Sequence, residues 1–168
     1  MLDQGPQVNV EVTLRGLNQY TKRLDPAVLN QRARESLQDC LNELKRLVVR
    51  DIPYASGQTR ETIYTEINGT TLQDLNGIVA SPESHFRILE YGRKPGAKMP
   101  PDEPIWDWMG EKGIEAEDGD DKAALFLIKR AIGRRGLPAL HIMRNALAEG
   151  RKHFSTIWLN RFMSDWKQ

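Results

Sequence analysis

The 168-residue chain contains a single cysteine, Cys40. A disulfide within the chain is therefore excluded, as is a cysteine-based zinc cluster. This usage fits a reducing compartment. An excess of one charge is missing too: 24 Lys and Arg stand against 23 Asp and Glu, a formal net charge of +1. The whole-molecule field thus announces neither nucleic acid nor an anionic membrane, and any such role needs a local patch. No apolar run approaches the roughly 18 residues of a membrane-spanning helix. The first residues, MLDQGPQVNVEV, lack the apolar core of a signal peptide. The expected setting is the cytoplasm, without membrane contact, or a larger particle assembled there.

Catalytic signatures are equally scarce. The three histidines, His85, His141 and His153, fall in three different segments at no metal-ligand spacing. Ser56-Gly57 has turn chemistry but no G-x-S-x-G surround. No glycine-rich phosphate-cradling motif occurs. The acids Glu115, Glu117, Asp118, Asp120 and Asp121 suggest a divalent cation, yet their spacing is not that of an EF-hand loop. A structural reading also covers them: Asp120 and Asp121 open a helix that Lys129, Arg130, Arg134 and Arg135 close, as the helix dipole favours. No cofactor and no catalytic residue is expected.

Hydrophobic residues make up 39% and charged residues 28%, enough for one packed domain over 1–168. Residues 7–14, QVNVEVTL, alternate as a half-buried strand. A short helical turn is expected around Leu17 to Leu24. Asp25-Pro26 is a helix start, and Leu29, Ala33, Leu37, Cys40, Leu41, Leu44, Leu47 and Val48 form one stripe that runs to Pro53. Strands are expected at 62–67 and 72–80, and a third near His85 to Tyr91, all in one antiparallel sheet with the N-terminal strand. Short helices follow at 104–112 and 122–135, the latter capped by Gly136, and a long one from His141 to Trp166. The fold class is α+β: a sheet of about four strands packed by a long helix (1–100), then a helical part (101–168).

Three features suggest surface function. The stretch SHFRILEYGRKPGAKMPP, 84–101, passes from apolar alternation into Arg93, Lys94 and Lys98, which fit a phosphate grip, a solvated loop or a contact with an acidic neighbour. Trp106 and Trp108 lie two apart and so cannot share a helix face. One is expected to pack on the sheet with Ile105 and Met109, leaving the other for solvent or a partner. Phe154, Trp158, Phe162 and Trp166 recur every four residues, mostly as core, with Trp166 a candidate subunit contact.

The order of these signals resembles the neck, or tail-completion, proteins of long-tailed bacteriophages, of the HK-ninety-seven gene-product-ten type. SGQTRETI at 56–63 is similar to that family's TG-x-LR-x-SI, with Arg60 standing for its arginine and Ile63 for its isoleucine. FRILEYG at 86–92 is similar to YA-x-x-VEFG, and LPALHIMRNAL at 137–147 to x-P-RPFLRPAL. Gln58-Thr59 departs from the family's x-Leu before Arg60, and Leu140-His141-Ile142 replaces Pro-Phe-Leu. The resemblance implies a virion structural protein assembled in the host cytoplasm. It would form a homo-oligomeric ring in the neck between a head-side connector or stopper and a tail terminator or tail tube, with DNA passing through without sequence specificity. Arg60, Arg93, Lys94, Lys98, Trp106, Trp108, Arg134, Arg135 and Trp166 are the candidate subunit or lumen residues. A nucleic-acid-binding module using the basic loops is the alternative, and a hydrolase built on a histidine is a third reading.

Overall fold

The computed structural model describes residues 8–13, 25–53, 58–115 and 120–164. The turns expected at Leu17 to Leu24 and at Ser56-Gly57, the acids Glu117 and Asp118, and Trp166 lie outside the described residues.

The longest element is helix α1 (Pro26–Asp51). Asp25 accepts a hydrogen bond from the Ala27 N–H at 2.9 Å, and Pro26 supplies a pre-set first-turn φ. The stripe read from the sequence is the buried face: Leu29, Ala33, Leu37, Cys40, Leu41, Leu44, Leu47 and Val48 are all in the core. Ser36 joins them, its hydroxyl satisfied by the Arg32 carbonyl at 2.8 Å.

Strands β1 (Val8–Thr13), β2 (Tyr64–Asn68) and β3 (Asn76–Ser81) form an antiparallel sheet in the order β1-β3-β2. Between α1 and β2 lies a single helical turn, α2 (Gln58–Glu61). Helix α1 crosses β3 closely enough that a Cβ on Gly77 would stand 2.7 Å from the Leu41 side chain. Glycine at that strand position is a matter of approach distance.

The sheet has three strands where the sequence suggested four. Residues expected as the fourth strand form helix α3 (Phe86–Tyr91). Phe86 and Glu90 are its buried residues, one helical turn apart, which is the spacing of one helix face and not of one strand face.

Helices α4 (Asp102–Lys112) and α5 (Asp121–Arg135) pack on each other as a hairpin. Gly113 and Gly136 end them, as the sequence indicates. The expected single closing helix is two: α6 (Ile142–Gly150) and α7 (Phe154–Phe162), parted by a turn at 151–153. The reason is angular. A line of residues four apart drifts by about 40° per step on an α-helix, so Ile142, Ala146, Phe154, Trp158 and Phe162 cannot all face α1 from one straight helix. The turn resets the phase, and both helices then pack on α1. Trp158 and Phe162 stack at 4.4 Å.

Candidate assembly surface

The two segments that resemble family motifs, 86–92 and 137–147, meet in space. Arg93 and Leu137 form an isolated antiparallel bridge, exchanging N–H···O bonds of 2.8 and 2.9 Å. The Leu140 N–H donates to the Leu89 carbonyl at 2.8 Å, and the Gly96 N–H to the Gly133 carbonyl at 2.8 Å. Glu90, 4% exposed, supplies the other half of this joint. Its carboxylate accepts from the Met143 N–H at 2.8 Å and the Arg144 N–H at 3.3 Å, capping α6 from fifty residues away. Residue 141 itself gives no side-chain cap and sits in the left-handed region, φ 54, unusual for a non-glycine residue.

Two glycines flank the bridge. Gly92 (φ 72, ψ −172) and Gly136 (φ 71, ψ −166) occupy a backbone region open essentially to glycine alone. A Cβ on Gly136 would stand 2.2 Å from the Arg93 carbonyl oxygen. These positions let the chain leave α3, run beside the end of α5 and turn into α6 without opening the bridge.

The joint also gathers charge. Arg93, Lys94 and Lys98 come from one side of the bridge, and Arg130, Arg134 and Arg135 from the end of α5 on the other. The sequence separates these sets by more than thirty residues, and the backbone pairing makes them neighbours. Among the described residues, Lys94, Lys98, Arg130, Arg134 and Arg135 make no ion pair. The Nε of Arg93 is buried and has no hydrogen-bond partner among them.

The other end of the α4–α5 hairpin carries the opposite sign. A cleft of about 590 Å³ is lined there by Trp106, Asp107, Glu111, Ile114, Glu115 and Asp121. From Asp121 to Arg134 the helix advances about 20 Å, so the acidic and basic regions are separate surfaces. The tryptophans differ from expectation. Trp106 (43%) and Trp108 (37%) are both exposed, Met109 is the buried residue of α4, and α4 lies against α5 instead of the sheet. Phe126 (51%) and Leu127 (59%) are exposed on α5. Within the hairpin, Lys129 pairs with Asp102.

Other sequence candidates have tasks inside the chain. The Arg60 guanidinium donates to the Ile52 carbonyl at 2.6 and 3.2 Å, closing the C-terminus of α1. Thr59 Oγ1 and His85 Nε2 share a 2.7 Å hydrogen bond, and Glu83 lies 3.5 Å from His85 Nδ1. This hydroxyl–imidazole–carboxylate order is the one that activates nucleophiles. Here the imidazole is half exposed and the carboxylate stands beyond a normal hydrogen bond, so the array ties α2 to the start of α3. Among the described residues no three His, Cys, Asp or Glu side chains gather as a metal site, and no helix is long and apolar enough to cross a membrane. Sequence reasoning passed over Glu90 as a site residue. Its only signal was an acid on an otherwise apolar face.

No protein-family model, curated protein or solved structure matches the chain.

Proposed function

We propose that the chain is a structural protein of a tailed-phage virion, forming a ring in the neck that joins the head connector to the tail tube around the DNA channel. The observation that carries this reading is the α4–α5 hairpin, which holds an acidic aromatic cleft at one end and a cationic end at the other. A surface with two unlike ends suits heterologous contacts, one face against a different face of the next copy, and such contacts form a ring where the rotation between copies closes. The ordered resemblance of 56–63, 86–92 and 137–147 to tail-completion proteins supports the same reading, and the joint makes the last two one structural unit. The role assigned is assembly, with no chemical step.

Mass measurement of the purified full chain, with imaging of the same sample, tests the proposal. Closed rings with a central opening, forming as concentration rises, are the expected result. A chain that stays monomeric at every concentration overturns it.

The clustering of Arg93, Lys94 and Lys98 with Arg130, Arg134 and Arg135 favours a second reading, a module that binds nucleic acid through phosphates. Binding would then fall steeply with salt, with a log–log slope that shrinks by about one for each cation removed from a phosphate contact.

A further inference from the structure

We propose that the acidic cleft lined by Trp106 is the seat for the outer face of α5 from a second copy of this chain. The inference rests on the ring reading above and names its contact. Each surface has an apolar centre and a charged rim, the anatomy of a protein–protein interface. In the cleft the centre is Trp106 with Ile114, and the rim is Asp107, Glu111 and Glu115. On α5 the centre is Phe126 with Leu127, and the rim is Arg130 and Arg134. Phe126, Arg130 and Arg134 follow at steps of four and so share one face, within about 80° of one another. The other side of α5 is already used: Leu125 is buried, and Ala124, Ile128 and Ile132 are partly so.

Charge selects the occupant. Among the described residues, Asp107, Glu111 and Glu115 make no ion pair, and neither do Arg130, Arg134 and Arg135. The two sets lie at separate places on one hairpin, about 20 Å of helix apart, and within one copy they stay unpaired. A second copy satisfies both at once, head to tail, and leaves each outer copy with a free cleft or a free arginine face until a ring closes. Nucleic acid would satisfy the arginines alone. It would leave Phe126 and Leu127 in water and be repelled by the cleft.

The full chain provides the test, through charge reversal on each side. One variant carries Arg130→Glu with Arg134→Glu, and the other Asp107→Lys with Glu111→Lys. All four positions are exposed, and circular dichroism melts verify that both variants fold. Each variant alone is expected to lose the ring, with association weakened about 100-fold or more by like charges brought face to face. An equimolar mixture is expected to recover it, because every contact then pairs opposite signs again. Misfolded variants would not recover on mixing. Wild-type rings with both variants still assembling overturn this contact and leave the ring reading standing. A monomeric wild type overturns both. A monomeric wild type that binds DNA through Arg130 and Arg134 hands the arginine face to nucleic acid.

Discussion

Glu90 is a carboxylate placed where a core residue would sit, and its partners are two backbone N–H groups of the first turn of α6. Glu90→Ala leaves those donors buried without an acceptor, at a cost of about 1–3 kcal/mol. Glu90→Gln keeps one acceptor and is expected to cost less. Urea denaturation of the two variants checks the order, and equal losses would refute the capping role. Gly136 is constrained differently. Gly136→Ala puts a methyl group into the Arg93 carbonyl and holds alanine in backbone space meant for glycine, with a loss of about 3 kcal/mol or more. Hydrogen exchange at the Leu137 amide should accelerate with it, since that amide closes the bridge.

Among the elements, α1 was fully legible. Its cap, its eight-residue stripe and its proline stop all use local chemistry that the sequence states directly. Helix α3 was misread for a physical reason. Phe86, Ile88 and Glu90 alternate, and six residues are too few to separate a period of 2 from one of 3.6. In the folded chain the Glu90 carboxylate meets α6 from a helical turn, and that partner lies fifty residues away. The closing helices show the same limit, because aromatic spacing of four reads as one helix until its accumulated rotation is compared with the position of α1. One further residue inserted in the turn at 151–153 is therefore expected to cost little. The same insertion at the middle of α7 rotates Trp158 or Phe162 off the core by about 100° and should unfold the domain. Thermal melts separate the two. Cys40 reports on the same packing. Its thiol lies under α7, 3.6 Å from the Phe154 carbonyl, and burial, with the Asp39 charge beside it, pushes its pKa up to about 11. Thiol reagents at neutral pH should label it only when α7 opens. Trp158→Ala should speed labelling, and Leu159→Ala, on the exposed side, should not.

At the scale of the whole molecule, α1 is a spine clasped by ions. Arg50 holds Glu149 of α6 at 2.8 Å, and Arg161 of α7 lies 3.3 Å from Glu35. The Arg50 hydrogen bond holds the Glu149 carboxyl below the usual glutamate range, and bonds from Thr71 and Thr70 do the same for Asp74. A depressed folded-state pKa contributes stability above the unfolded value and loses it as pH falls through the folded one. Stability should therefore decline below about pH 4.3, the ordinary glutamate value, and continue to fall as the pH is lowered further. Glu149→Gln should flatten that acid limb in melts taken across the range. The candidate surface was only half legible. Both charged stretches stand in the sequence, but their separation onto unlike ends of one hairpin, and the meeting of 93–98 with 130–135, depend on pairing between distant residues.

The bridge between Arg93 and Leu137 has a mechanical meaning. Both chain connections from the core to the α4–α5 hairpin run side by side through it. Tension on the hairpin therefore passes along two covalent tethers in parallel, and the hydrogen bonds between them carry none of that load. What they resist is bending. The hairpin can pull hard on the body of the molecule without unzipping its own attachment, while its direction stays fixed by a few short bonds.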